Sequence, residues 1–336
     1  MDSDVVGIIH KFTTIMDKNM SNRIPTCLGS GVFNLDTVVV REYPEGYQKQ
    51  RTFNEKLMTE EVGGTCGNVM SMLPYLGVQT FPLALLDQSE QGLKIKDTLA
   101  LYGADTRFVS NSEKGGTTLL RCTHRRDAEG NKVVKFHASS PGSMFAKRRQ
   151  LSTKNGEVDE FLGRLDFVPD VFFFDDPAAA HVKIAQALRQ KGTLVYFEPE
   201  GIKDGKLSPF MKRVEVADIV KFSAEKITDE SWMEKFDDKL FIRTMGEKGV
   251  AFRLRGGAWT VVPPVENDNV VDWEGAGDWT TSAFIAELCK GGHLDFSGLS
   301  EDIVRSALGE AQMIASKSVS FLSSKGMIHK DLRSNE

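Results

Sequence analysis

The chain has 336 residues, of which 40% are hydrophobic and 26% are charged, a composition typical of globular proteins with a substantial core. Its formal net charge of −5 gives no basic surface for nucleic acid or an anionic membrane, and no apolar run approaches the roughly 20 residues of a membrane helix. The acidic start, Met1-Asp2-Ser3-Asp4, lacks the basic residues of a secretion signal, so we expect a cytoplasmic protein without nucleic-acid or membrane partners.

The first part of the chain predicts a helical extension and then a strand-rich region. Apolar residues recur at helical spacing from 5 to 16, which predicts an N-terminal extension of residues 1–24 packed on the body. In chain order, the following patterns predict strands at 26–32, 37–41 and 51–59, a helix at 65–76, a strand at 81–86, a helix at 88–102 and a hairpin of 117–124 and 132–137.

The second part of the chain alternates strands with helices. The patterns predict strands at 171–174, 193–197, 219–222, 240–244, 250–253 and 259–265, and helices at 178–190, 280–290 and 301–324. This alternation predicts an α/β fold with a mostly parallel central sheet covered by helices on both faces. Two strand-rich inserts, at about 37–62 and 115–138, interrupt the alternation and predict one small β-sheet lid on a single domain of residues 25–330.

The most informative motif is Gly275-Ala276-Gly277-Asp278, just before the predicted helix 280–290. The first amide N–H groups of a helix have no internal partner, and residues with minimal side chains let an anion reach them. We expect Asp278 to stay ionised there, because a helix N-terminus favours a negative charge. An anion cradle beside a base suits phosphoryl transfer to an alcohol. An ordinary helix start with Asp as its cap explains the tetrapeptide alone equally well.

Other phosphate-binding classes and zinc sites lack their residues. Gly29-Ser30-Gly31 follows a strand, but Asn34 stands where a dinucleotide fingerprint needs its third glycine, which leaves an oxidoreductase poorly supported. Neither a P-loop nor the protein-kinase motifs occur. The four cysteines lack CxxC spacing and the six histidines form no HExxH pattern, so the sequence suggests reduced thiols and no zinc site.

Four motifs together resemble those of the ribokinase-like, or PfkB, family of carbohydrate kinases. The C-terminal motif Asp272-x-x-Gly275-Ala276-Gly277-Asp278 is similar to the family's D-T-x-G-A-G-D. Three further segments occur in the same order as in the family. They are the segment from Gly29 to Asp36, the motif Gly63-Gly64-Thr65-Cys66-Gly67-Asn68 and the motif Thr244-Met245-Gly246-Glu247-Lys248-Gly249. The resemblance covers residues 25 to 325 and implies a ribokinase-like three-layer sandwich.

The resemblance also implies a role for each matching residue. Asp278 would be the catalytic base, and the amides of Gly275, Ala276 and Gly277, continuing to residue 278, would form the anion hole. Asp36, Asn34, Gly63, Gly64 and Asn68 would bind a sugar, and Ser223, Thr244, Gly246 and Gly249 would line the ATP site. The resemblance also implies Mg²⁺, because ATP binds as its magnesium complex. In many relatives a monovalent cation such as K⁺ lies near the residue matching Asp272. Relatives often form homodimers through the lid, which makes a homodimer an expectation here.

This chain departs from the family pattern in three places, which leaves several functions open. Trp273 replaces a small residue, Lys226 stands where the family's N-x-x-E has its carboxylate, and Glu198-Pro199-Glu200 replaces an Asp-x-Asn. The main hypothesis is an ATP-dependent kinase that phosphorylates a hydroxyl of a monosaccharide or related polyol. The alternatives are a nucleoside kinase of the same family and a catalytically impaired sugar-binding or regulatory protein. The sequence does not specify the sugar or the hydroxyl.

Overall fold

The structure is a computed structural model that describes residues 23–42, 54–127, 131–138, 148–199 and 208–333. The helix expected at 5–16, and with it nearly all of the extension 1–24, lies outside the described residues. No helix in the described part of the chain is both long enough and apolar enough to span a membrane.

Within the described ranges, the larger of two sheets has nine strands. In chain order they are β1 (Thr26–Ser30), β4 (Gln79–Leu86), β5 (Val109–Asn111), β8 (Val171–Phe174), β9 (Leu194–Phe197), β10 (Ile219–Ser223), β11 (Leu240–Thr244), β12 (Val250–Leu254) and β13 (Thr260–Val262). Their spatial order is β13-β12-β11-β10-β9-β8-β1-β4-β5. The seven strands from β11 to β5 pair in parallel, and β12 and β13 add an antiparallel edge. The carboxyl ends of the parallel strands therefore share one edge, where ligands bind in open α/β sheets.

Helices cover both faces of this sheet. They are α1 (Thr65–Tyr75), α2 (Glu90–Leu101), α3 (Glu157–Arg164), α4 (Ala179–Arg189), α5 (Ser208–Val216), α6 (Ala276–Lys290), α7 (Glu301–Ser318) and α8 (Gly326–Arg333). Strand β8 shows how the layers form: Val171 and Phe173 join the core under α1, α2, α6, α7 and α8, whereas Phe172 and Phe174 join the core under α3, α4 and α5. Successive strand residues point to opposite faces, so a continuous apolar run supplies both cores. The expected three-layer fold is confirmed.

The smaller sheet has four strands in the order β3-β2-β6-β7. Its strands are β2 (Asn34–Glu42), β3 (Asn54–Gly63), β6 (Thr118–Arg126) and β7 (Lys132–Ala138). Strands β2 and β6 are parallel neighbours, so both excursions from the main alternation build this one sheet. The pair Asn34 and Gly63 closes the β2–β3 ladder at the end nearest the main sheet.

Two helix boundaries differ by four residues or more from the sequence prediction. Helix α6 begins at Ala276, not at 280, because Gly275 with φ of 77° ends the preceding loop one residue before it. The helix predicted at 301–324 ends at Ser318 and is followed by turns, with Ser323 in the left-handed region at φ of 70°. The helical apolar pattern continues past Ser318, but the backbone turns and residues 319–325 form a loop that reaches α6.

Candidate active site

The start of α6 presents open amide donors. Gly275 adopts φ of 77°, and a Cβ there would lie 2.5 Å from the Cβ of Ser324, so only glycine fits between the two loops. The Ala276 amide makes a long turn bond of 3.3 Å to the Trp273 carbonyl. Within the described residues, the amides of Gly277 and Asp278 have no hydrogen-bond partner. The open donors at this helix start are therefore mainly these two N–H groups, the last two of the expected set 275–278.

Asp278 lies in the first turn of α6 and is partly exposed. The removal of water from its carboxyl raises its pKa to about 7, and the negative charge of Glu198 acts in the same direction. Lys221, the Asn68 amide and Lys325 oppose this rise. The expectation that Asp278 stays ionised because it lies at a helix terminus was therefore wrong near neutral pH, where burial and the charge of Glu198 favour the protonated form. A carboxyl with a pKa near 7 is well placed to accept a proton.

Asn68 ends the expected sugar motif, Gly63-Gly64-Thr65-Cys66-Gly67-Asn68, and contacts this carboxyl. Its side-chain amide donates to Asp278 Oδ2 at 2.5 Å, and its carbonyl oxygen accepts from Lys325. Lys325 is fully buried and also donates to the Val62 carbonyl. Because Lys325 holds the carbonyl end, the NH₂ end of Asn68 must face Asp278. Lys325 was missed at the sequence level, since it directly follows the segment predicted as helix, 301–324, and belongs to none of the recognised motifs.

A second lysine, Lys221, lies beside the open amides that begin α6. Lys221 on β10 is buried and pairs with Glu198, whose other oxygen accepts from Thr281 Oγ1 at 2.5 Å. A Cβ on Gly277 would lie 3.7 Å from Lys221 Nζ, which places the ammonium next to the open amides. Glu198, which directly follows β9, was noted in the sequence only as a departure from the family pattern. In the structure it joins β10 to α6.

The expected sugar residues line the junction of the two sheets. Asp36 is buried on β2, and a Cβ on Gly63 would overlap its carboxylate, so this glycine is required by the close approach. Gly64 has φ of 80° and precedes α1, which carries Asn68. Asn34 is 1% exposed, and its side-chain oxygen has no hydrogen-bond partner among the described residues. A buried amide oxygen without a partner is costly, which favours a ligand at this position.

Asp175 holds the sugar motif in place. Its carboxylate accepts from the amides of Val32, at 2.9 Å, and Cys66, at 2.7 Å. These bonds join the end of β8 to the β1–β2 turn and to the start of α1. No motif in the sequence marks Asp175, because an aspartate at the end of a strand is also typical of a turn.

The expected nucleotide residues lie at the neighbouring strand ends. Ser223 of β10 and Thr244 of β11 are partners in the parallel ladder. Gly246 has φ of 59°, and Gly249 has φ of 88° with a hypothetical Cβ 2.6 Å from the Val262 carbonyl. The turn between β11 and β12 therefore requires Gly249 whether or not a nucleotide binds. Lys226, the residue in place of the expected carboxylate, is exposed.

Asp272 holds the loop before α6. Its buried carboxylate accepts from the Glu274 amide at 3.1 Å and from the Ser323 amide at 2.9 Å. These bonds tie the cradle loop to the loop after α7. Trp273 is exposed next to it, whereas Trp279 is fully buried and donates its indole N–H to the Ser324 carbonyl.

Comparison with known proteins identifies the family. Residues 32–318 match the sequence model described as pfkB family carbohydrate kinase. The chain belongs to this family. It is a sugar kinase of the pfkB family. No curated protein matches the sequence.

Solved structures share the fold of this carbohydrate kinase. A putative ribokinase from Agrobacterium tumefaciens has a TM-score of 0.63 and 14% identity, with 92% of this chain and 98% of that chain covered. Arabidopsis thaliana ribokinase complexed with ribose and ATP has a TM-score of 0.63 and 16% identity, with 90% and 95% covered. Fructokinase with bound ATP from Xylella fastidiosa has a TM-score of 0.64 and 16% identity, with 94% and 100% covered.

Proposed function

We propose that this protein transfers the γ-phosphoryl group of ATP to a hydroxyl of a monosaccharide or related polyol. One observation carries the proposal: a carboxyl group with a pKa of about 7, Asp278, lies beside the open amides that begin α6. A base for the hydroxyl proton and a cradle for the developing negative charge are the two parts that this reaction needs.

Asp278 accepts the proton of the attacking hydroxyl. Asn68 donates to one carboxylate oxygen at 2.5 Å, which fixes the carboxylate and leaves the second oxygen for the substrate. Lys325 keeps Asn68 in this orientation from the other side. Preorganisation of this kind lowers the cost of reaching a reactive geometry.

Lys221 and the amides of Gly277 and Asp278 stabilise the transferred group. The phosphoryl oxygens carry negative charge throughout the transfer, so fixed N–H donors and one ammonium group contribute most at that stage. Glu198 holds Lys221 in place without neutralising the cradle amides, because its other oxygen is bound by Thr281.

The junction of the two sheets supplies the sugar site. Asp36 and the unpartnered oxygen of Asn34 are acceptors for hydroxyl groups, and the Gly63-Gly64 backbone has no side chains to obstruct a polyol. A buried acceptor that a substrate hydroxyl satisfies discriminates against analogues that lack this hydroxyl. The ribose in the Arabidopsis thaliana ribokinase complex supports a sugar of this general class.

ATP is proposed to bind at the ends of β10 and β11, beside Ser223, Thr244, Gly246 and Gly249. Two structural neighbours have ATP in their described complexes. The carboxylates of Glu198 and Glu225 lie at this edge. Glu225 Oε1 would lie 4.0 Å from a Cβ placed on Gly246. Oxygen ligands of this type suit Mg²⁺, which would screen the phosphate charges when bound with ATP. A monovalent cation near Asp272 stays a prediction.

The structure favours the active kinase over an impaired binding protein. The two departures that motivated the impaired alternative, Lys226 and Trp273, are both exposed side chains. Asp278, Asn68 and Lys221 instead form a connected polar arrangement around the cradle.

Replacement of Asp278 by Asn tests the proposal. The change keeps the shape of the side chain and removes the base, so kcat should fall by about 10²–10⁴-fold. ATP consumption is measured by a coupled assay against sugars, sugar acids, sugar phosphates and nucleosides, and a response to nucleosides alone would favour the nucleoside kinase.

The matched control is Asp302→Asn, which removes an aspartate from the first turn of α7 and should leave kcat unchanged. An Asp278→Asn enzyme with wild-type turnover on the responding substrate would refute the assignment of the base. Sugar binding by Asp278→Asn, followed by thermal shift, should persist.

A further inference from the structure

Three side chains with metal-binding atoms meet between the small sheet and the loop before α6. We refer to Cys122, His124 and Glu274 as the Cys–His–Glu cluster. Cys122 Sγ lies 2.9 Å from Glu274 Oε2 and 3.3 Å from His124 Nε2, and His124 Nε2 lies 3.8 Å from Glu274 Oε2. All three atoms fall within 4.8 Å of one another.

The fold explains why these atoms converge. Cys122 and His124 are two residues apart on β6, so their side chains leave the same face of the small sheet. That face meets the cradle loop, where the Asp272 carboxylate holds the Glu274 amide at 3.1 Å. Glu274 is thereby held opposite the strand. The cluster uses residues outside the base, the cradle and the sugar motif.

We infer that the Cys–His–Glu cluster binds a Zn²⁺-like transition-metal ion. Thiolate, imidazole and carboxylate are the three ligand types of zinc in proteins, with bonds of about 2.0–2.3 Å. Tetrahedral bonds of that length put the ligand atoms about 3.3–3.6 Å apart. The three separations of 2.9, 3.3 and 3.8 Å surround this range, so small side-chain rotations close the site.

The surroundings also favour a cation and leave a path for its entry. His124 Nε2 lies 3.5 Å from Asp272 Oδ2, and the His124 and Glu274 side chains are 12% and 16% exposed. Asp36 and Glu61 add negative charge near the cluster, whereas Lys325 opposes them. Three protein ligands with a solvent-facing edge leave the fourth position for water.

Without a metal, the cluster is held by hydrogen bonding. The Cys122 thiol donates to Glu274, and burial raises the pKa of the Cys122 thiol well above its usual range. On metal binding the thiol proton leaves to solvent and the thiolate takes the metal in its place. The bound ion then joins β6 of the small sheet to the loop that carries the anion cradle.

The test titrates Co²⁺ into the full chain after its metal has been removed with a chelator. We expect one equivalent of Co²⁺ to produce a sulfur-to-cobalt charge-transfer band and the visible bands of a four-coordinate ion. One equivalent of Zn²⁺ should remove both sets of bands. Cys122→Ser should abolish the charge-transfer band, while Cys289→Ser, which removes another buried thiol, should keep it.

Two further variants keep the inference falsifiable if Cys122→Ser does not fold. His124→Asn and Glu274→Gln change partly exposed side chains, and each should lower Co²⁺ affinity at least about tenfold. His137→Asn, an exposed histidine of β7, should leave the affinity unchanged. Absence of a charge-transfer band in the wild type, its survival in Cys122→Ser, or unchanged affinity in both His124→Asn and Glu274→Gln would overturn the inference. Neither ATP nor sugar is needed, so the outcome is independent of the proposed kinase reaction.

Discussion

The pKa of Asp278 depends more on neighbouring side chains than on the helix that carries this residue. A position in the first turn of α6 favours the charged form, but loss of water and the charge of Glu198 raise the pKa to about 7. The helix terminus contributes typically 0.3–1 kcal/mol at exposed sites, about 0.2–0.7 pKa units, which is too small to reverse burial among protein atoms. The protonation state of Asp278 therefore depends on contacts that only the tertiary structure reveals.

The pH profile of activity checks this residue directly. Because the base must be unprotonated, kcat/KM should fall about tenfold per pH unit below about 7 and level off above it. The residual activity of Asp278→Asn should show no such step. A wild-type profile that stays flat down to about pH 5 would contradict the raised pKa.

The raised pKa of Asp278 also makes the stability of the folded protein depend on pH. A carboxyl whose folded pKa is raised binds its proton more tightly when folded, so it destabilises the fold increasingly as pH rises from its unfolded pKa towards 7. Asp278→Asn should therefore raise Tm relative to wild type more at about pH 8 than at about pH 4.

At the scale of elements, the junction between α6 and the loop after α7 depends on one glycine. Gly275 combines φ of 77° with contact against Ser324, and Asp272 joins the same two segments through the Ser323 amide. The loop after α7 therefore supports the cradle, although its sequence continues a helical pattern.

Gly275→Ala tests this junction. Left-handed backbone costs a residue with a Cβ about 1–2 kcal/mol, and overlap with Ser324 adds about 1–3 kcal/mol, so the free energy of unfolding should fall by about 2–5 kcal/mol. Urea unfolding measures the change. Gly309→Ala in α7, where a Cβ meets nothing within 4 Å, is the control and should stabilise by about 0.5–1 kcal/mol. Equal effects of the two substitutions would contradict the argument.

At the scale of the whole molecule, the proposed site lies where two sheets meet. The small sheet contributes Asp36, the main sheet contributes Lys221, and α1 and α6 join them through Asn68 and Asp278. We propose that the small sheet acts as the lid, which would exclude water that otherwise hydrolyses ATP. Exposed apolar side chains on this sheet, Leu57 and Phe136, support the expectation of a homodimer through it.

Asp36→Asn separates the contribution of the small sheet from that of the main sheet. Loss of a charged acceptor costs about 1.5–3 kcal/mol, so the KM for the sugar should rise by about 10–150-fold while the KM for ATP stays unchanged. Initial-rate kinetics with the responding sugar measure both constants. Glu60→Gln is the control, because Glu60 of β3 pairs with Lys94 and not with the proposed site. An unchanged sugar KM in Asp36→Asn would remove Asp36 from the sugar site.

Local patterns predicted most of the fold because the elements are stabilised by residues close in sequence. The apolar run of β8 and the periodic pattern of α2 were recognised within a residue or two of their observed bounds. The start of α6 and the end of α7 were missed, since both lie where segments about 50 residues apart contact each other. The positions of the motifs that form the proposed site were also recognisable, because each is a short run beside a strand end.

The family, the layered α/β architecture and the Gly275–Asp278 motif could be recognised from the amino-acid sequence alone, since hydrophobic periodicity and short motifs are local properties of a chain. The tertiary structure decided which side chains meet: Lys325 with Asn68, Lys221 and Glu198 with α6, and Cys122 and His124 with Glu274. These partners lie about 60 to 260 residues apart, with no fixed spacing to reveal them. Their protonation depends on burial and on charges brought from other elements, which only the folded chain defines.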